Sequence, residues 1–185
     1  DITLVYYPDK TMNPYASNDY TNRALFSLIY QGLFSYELAY QVQPVLCKEY
    51  SVSRDMRTYV FYLEKATFSN GSPVTAEDVV ASFQQAKSSS YYGGRFSQIS
   101  SFSVTEDGGV QVRTSVPMEN LPLLLDIPIV PALQVEADNP AGSGPYMLDN
   151  NGMHPLLRKT SWWSDAPLTI TAPAITLYQA KTSNQ

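Results

Sequence analysis

Hydrophobic and polar positions along this chain change period several times, and each change marks an element. Ile2 to Tyr7 reads as a first strand. A polar loop, Asp9 to Asp19, leads into a stretch from Tyr20 to Gln31 in which Leu25, Leu28 and Ile29 recur at helical spacing. Gly32 stands where a helix C-cap glycine is expected. Leu33 to Tyr36 is a short extended piece. Between Tyr50 and Leu63 the alternation of Tyr59, Phe61 and Leu63 predicts two strands around an Arg54-Asp55 turn.

The segment Phe68 to Phe83 carries the densest punctuation. Asn70-Gly71 supplies a residue that accepts positive φ, and Pro73 stiffens the exit. Thr75 and Asp78 stand three apart, as in a capping box, and Val79, Val80, Phe83 and Ala86 follow on one helical face. The predicted helix covers Ala76 to about Lys87. Ser88 to Gly94 is a loop by composition. Ser101–Thr105 and Val110–Thr114 form a predicted hairpin around Asp107-Gly108. Glu119 to Leu125 is a helical turn interrupted by Pro122, and Ile127 to Val130 a buried strand. A loop rich in Gly and Pro, Asp138 to Pro145, precedes strands at Tyr146–Leu148, Leu156–Lys159 and Ile175–Leu177.

Bulk properties narrow the function classes. The 185 residues suffice for one medium domain or two small lobes. With 44% hydrophobic and 16% charged residues the chain reads as folded. A net charge of −5, with the 12 basic residues scattered singly, argues against nucleic-acid binding. No apolar run approaches the ~18 residues of a membrane span. No signal-peptide pattern opens the sequence, so an exported protein would be represented here by its mature part. The single cysteine, Cys47, excludes an internal disulfide and reads as a small buried hydrophobe. The 14 tyrosines suit a surface that contacts sugars or peptides, without choosing between them.

Catalytic signatures are sparse. His154 is the sole histidine and has no cysteine partners, which disfavours a zinc site, and no G-x-S-x-G elbow is present. The expectation is that the chain is not an enzyme and needs no cofactor.

Several motifs occur in a fixed order: Thr11-Met-Asn-Pro14, Ile29-Tyr-Gln-Gly-Leu33, Gln43-Pro-Val-Leu46, Ser51-Val-Ser-Arg-Asp55 through Leu63, Phe68 to Phe83, Ala141-Gly-Ser-Gly-Pro-Tyr146, and Leu157-Arg-Lys-Thr-Ser-Trp-Trp163. Together they resemble the family 5 extracellular solute-binding proteins, receptors for peptides, nickel and related solutes that feed ABC importers. Departures fall at Lys65-Ala-Thr67, at Tyr50 and at Thr160, and they touch the ligand class more than the fold. Length is the larger departure, because family members are much longer and two-lobed.

The resemblance implies a mixed α/β (α+β) protein with a type II periplasmic-binding architecture, represented by its first lobe. Residues 1–42 would begin that lobe, 43–140 would form an inserted subdomain, and 141–185 would return to the lobe. The second lobe and the C-terminal part would be missing, so the expectation is a fragment of a longer protein. It also implies an extracytoplasmic binding protein, reaching the membrane only through a lipid anchor or the permease subunits, with a peptide as the default solute. A solute sensor with the same fold, and a carbohydrate-binding or adhesion module, are the alternatives.

Ligands of two-lobed receptors sit between the lobes. The resemblance places Asn18, Asp19 and Tyr20 at that cleft: an acidic residue to pair a ligand ammonium, an aromatic to stack. Asn18 or Asp19 could equally cap the helix that follows. Tyr91 and Tyr92 lie in a loop that supplies an aromatic in relatives, or are packing tyrosines of a surface loop. Arg95 could meet a ligand carboxylate or simply be solvated. Gly142-Ser-Gly144 reads as tight-turn glycine more than as an anion cradle, and Trp162-Trp163 as a structural strand end.

Overall fold

The computed structural model describes residues 2–36, 41–151, 155–160 and 175–180. His154 and the pair Trp162-Trp163 lie outside these. Among these described residues, ten strands and three α-helices follow one another, besides three short 3-10 turns: β1 (Thr3–Tyr6), α1 (Tyr20–Ala24), α2 (Phe26–Ile29), β2 (Phe34–Tyr36), β3 (Val42–Pro44), β4 (Cys47–Val52), β5 (Thr58–Leu63), α3 (Ala76–Lys87), β6 (Ile99–Val104), β7 (Val110–Thr114), β8 (Tyr146–Asp149), β9 (Leu156–Lys159) and β10 (Ile175–Gln179). They build two four-stranded sheets. One, ordered β1-β10-β9-β8, is parallel between β1 and β10 and antiparallel elsewhere. The other, β4-β5-β7-β6, is wholly antiparallel, and a small β2-β3 ladder lies apart from both.

In the antiparallel sheet, β5 alternates as its sequence requires: Tyr59 and Phe61 are buried. Helix α3 covers that face with Val79, Phe83 and Ala86, and Phe83 meets Phe96 and Phe102 edge-on. The capping box is formed as expected. The Thr75 hydroxyl accepts from the Asp78 N–H, and Asp78 accepts from the Thr75 N–H at 2.9 Å. The second Asp78 oxygen accepts from the Ala132 N–H at 2.8 Å, so the cap also pins the returning chain.

Four expectations need correction. The segment Tyr20–Gln31 is two short helices, broken at Leu25, and Tyr30 is already extended. The Ile29 carbonyl, free to accept from the next helical turn, accepts instead from the Gly144 N–H at 2.9 Å, and the Gln31 carbonyl accepts from Ile129 N–H. Gly32 is therefore no C-cap. A side chain there would meet the Ile127 carbonyl oxygen at 2.8 Å, so glycine permits close backbone passage. Ile127–Val130 is buried but joins no sheet. Pro128 and Pro131 have no N–H to donate, and Val130 exchanges hydrogen bonds with the buried Ser82 hydroxyl. Gly142 and Gly144 likewise serve close approach rather than turn geometry. A Cβ on Gly142 would stand 1.9 Å from the Ile29 oxygen, and the positive-φ glycines among the described residues are Gly71 and Gly108.

Candidate functional site

Two buried asparagines shape the loop that leads into the site. Asn13 donates through Nδ2 to the Val135 and Ala137 carbonyls and accepts from the Tyr15 N–H, which fixes the loop against the chain near residue 136. Asn22 exchanges hydrogen bonds with the Tyr7 backbone, at 2.9 Å each way, and ties α1 to the end of β1. Between them, the Tyr15 hydroxyl donates to the Pro128 carbonyl, and the Tyr30 hydroxyl donates to Met12 and Pro140. Burial pushes both phenols well above the usual tyrosine range, so they act as fixed donors.

That frame presents Arg23 in the last turn of α1. Its Nη1 donates to the Pro14 carbonyl at 3.0 Å and to the Ser17 carbonyl at 2.9 Å. Its Nη2 donates to the Tyr92 hydroxyl at 2.9 Å. The guanidinium carbon lies 3.4 Å from the centre of the Tyr91 ring, a close cation–π stack. Tyr91 and Tyr92 meet edge-to-face with centroids 4.8 Å apart. Tyr92 is 5% exposed and Tyr91 is 53% exposed. Desolvation raises the Tyr92 phenol, outweighing the opposite pull of Arg23 and Arg95. Arg95 is ion-paired with Asp126 and lies 5.0 Å from the Tyr92 ring.

These groups border an open cavity of about 600 Å³. One wall is formed by Arg23 and Phe26 of the short helices with Tyr30 and Gln31 just after them, another is the Tyr91-Tyr92 loop with Asp126, and Phe34 and Tyr36 close a third side. The lining joins aromatic faces, one arginine, one carboxylate and an amide. That mixture suits holding a small polar molecule.

The structure treats the expected site residues differently. Tyr91 and Tyr92 line the cavity, and Arg95 braces it through Asp126. Asp19 accepts from the Asn22 N–H at 2.8 Å and is the N-cap of α1. Asn18 is exposed and accepts from the Ser90 hydroxyl at 3.4 Å, which sets the two expected loops side by side. Tyr20 is 87% exposed and does not line the cavity. Sequence reasoning did not single out Arg23, Gln31, Tyr36 or Asp126. Asp126 carried a signal: a lone carboxylate inside the apolar run Leu123–Val130 requires a partner. Arg23 carried none, because its partner Tyr92 is distant in sequence.

Among the described residues, no helix is long and apolar enough to cross a membrane, and no cluster of three or more His, Cys, Asp or Glu side chains could hold a metal ion.

The chain is 27% identical over 152 residues to the glutathione-binding protein GsiB of Salmonella choleraesuis, covering 75% of this chain and 30% of that protein. GsiB of Escherichia coli O157:H7 is 28% identical over the same length. Among solved structures, Listeria monocytogenes OppA bound to peptide superimposes with a TM-score of 0.78 at 17% identity, covering 97% of this chain and 42% of OppA. NikZ of Campylobacter jejuni, in complex with Ni(L-His), gives 0.75 at 20% identity, covering 97% and 38%. These likenesses establish the mixed α/β binding-protein fold, and the chain spans about 30% of the curated relatives' length. The pattern of the bacterial extracellular solute-binding proteins, family 5 Middle, matches residues 41–172, and the chain belongs to that family.

Proposed function

We propose that this chain is part of the extracytoplasmic solute-binding component of an ABC importer, and that its solute is a peptide or a similar small polar molecule. The observation that carries this is the aromatic cavity, lined by one arginine and one carboxylate, built where the 15–23 segment meets the 88–95 loop. The division into a first lobe (1–42 and 141–185) and an inserted subdomain (43–140) fits the two sheets, one drawn from the two ends of the chain and one from its middle. The cavity then lies where the two parts meet.

Asn18, Asp19, Tyr20, Tyr91, Tyr92 and Arg95 form the solute-facing edge in this reading. Tyr20 is an exposed aromatic surface that a second lobe would cover on closing over the solute. Occupancy favours the closed form, and the permease subunits respond to it. The relatives' names (glutathione, peptide and nickel–histidine binders) set the panel to try. A membrane link through a lipid anchor belongs to the same proposal.

The test is thermal stabilisation of the full-length gene product by that panel. A ligand present at 100 times its Kd stabilises by about 2.7 kcal/mol, which a melting curve resolves. The isolated 185 residues bind the same ligand much more weakly, because half of a two-lobed site is contributed by the other lobe. Failure of every solute to shift the full-length melt, or micromolar peptide binding by the 185 residues alone, would contradict this reading.

A further inference from the structure

The charges around the cavity do not balance. Arg95 has a partner in Asp126, and Arg158 has one in Asp149, but among the described residues no carboxylate pairs with Arg23. Arg23 is half-buried, so its charge has given up part of its hydration. Two backbone carbonyls, the Tyr92 hydroxyl and the Tyr91 ring hold it in place. These partners are neutral dipoles that fix the guanidinium without cancelling it. A guanidinium has five N–H donors. Nη1 spends two and Nη2 one, which leaves the Nε–H and one Nη2–H without a partner among the described residues. Nε–H together with one Nη2–H is the donor set that a carboxylate can take up bidentately.

We propose that Arg23 is the anchor for a carboxylate of the bound solute. This rests on the solute-receptor reading above and narrows its ligand class to acids. The carboxylate meets the free donors of Arg23, while the exposed half of Tyr91 and the ring of Tyr36 offer apolar faces to the rest of the molecule. Arg95 does not compete for it, since Asp126 already neutralises that charge. Asp126 in turn disfavours a second anionic group deeper in the cavity, so a monoanionic end fits better than a dianionic phosphate.

Two tripeptide pools built from Gly, Ala, Phe and Lys decide the matter, one with free C-termini and one with C-terminal amides. Neither contains an acidic side chain. Full-length protein is titrated with each, by calorimetry and by thermal shift. The free-acid pool is expected to bind ten- to a hundredfold more tightly, the range of one charge-assisted contact. Arg23→Gln is expected to bring acid affinity down to that of the amides. Arg23→Lys, which keeps the charge and loses the fork, is expected to fall between. Because either substitution also removes hydrogen bonds to Pro14, Ser17 and Tyr92, the wild-type ratio of acid to amide is the deciding number should the variants fold poorly. Equal affinity for the two pools overturns the anchor and leaves the receptor reading standing. Binding of neither pool overturns the peptide reading, and the anchor falls with it.

Discussion

Replacing Gly142 by alanine tests a close backbone approach on which the fold depends. The new Cβ would lie 1.9 Å from the Ile29 carbonyl oxygen, 2.7 Å from its carbon and 2.8 Å from Tyr30 Cδ1. Ordinary contact between such atoms is about 3.5 Å, so the 141–144 segment must retreat by more than an ångström. Two hydrogen bonds span this junction and would stretch with it: Gly144 N–H to Ile29 O at 2.9 Å, and Ser69 N–H to Gly142 O at 2.8 Å. Each is worth about 1 kcal/mol net. Overpacking a tight site adds roughly 1–3 kcal/mol. The sum is about 3–5 kcal/mol, which for a chain of this size lowers Tm by roughly 6–20 °C. Urea and thermal melts of the purified variant give the number directly. A glycine needed only for a turn predicts another result: φ at 142 is not positive, so alanine would be neutral or would stabilise by about 0.4–1 kcal/mol through the unfolded chain. A variant melting within a degree or two of the parent would refute the close-approach account. Gly71→Ala is the matched control, with open space but φ of +88°, and should cost about 1 kcal/mol from backbone conformation alone.

Thr75→Ala should cost about 1 kcal/mol in urea denaturation, and Asp78→Ala more, since Asp78 also accepts from Ala132 N–H on the returning chain. Met56 holds φ of 56° in the turn between β4 and β5, so Met56→Gly should raise the unfolding free energy measured in urea, by up to about 1 kcal/mol once glycine's unfolded-state freedom is subtracted. Burial, reinforced by Glu64, pushes the Cys47 thiol up to about 11. Ellman's reagent at pH 8 should therefore react slowly with the folded protein and at once in guanidinium. A raised thiol pKa binds its proton more tightly when folded, so its contribution is complete below the unfolded thiol's pKa and is lost as pH climbs through about 11. Stability of the parent should accordingly fall faster than that of Cys47→Ala across that interval.

How far the sequence discloses this fold depends on where each backbone group finds its partner. Helix α3 is legible because Thr75 and Asp78 satisfy its first turn locally, and the β6–β7 hairpin because Gly108 adopts the positive φ its turn needs. The Tyr20–Gln31 segment misleads because its hydrogen bonds leave the segment. Ile29 O goes to Gly144 and Gln31 O to Ile129, partners far along the chain, and no local periodicity reports them. Ile127–Val130 misleads for the same reason: Ser82 and Gln31 satisfy it in place of a ladder.

The cavity inherits this property. Gln31 lines it because Gly32, Gly142 and Gly144 let three backbone passages crowd together behind it. Arg23 reaches it because Pro14, Ser17 and Tyr92, from two separate loops, hold the guanidinium. The family resemblance can point to Tyr91 and Tyr92 from sequence, but the charge they frame is set by which arginine already has a carboxylate. That depends on a long-range pairing, Arg95 with Asp126. In a chain carrying a net charge of −5, attraction for an anion cannot come from the overall field, which salt screens within about 8 Å. In the proposed reading it comes from one guanidinium at contact distance that has no carboxylate partner among the described residues, and Arg23 is placed to supply it.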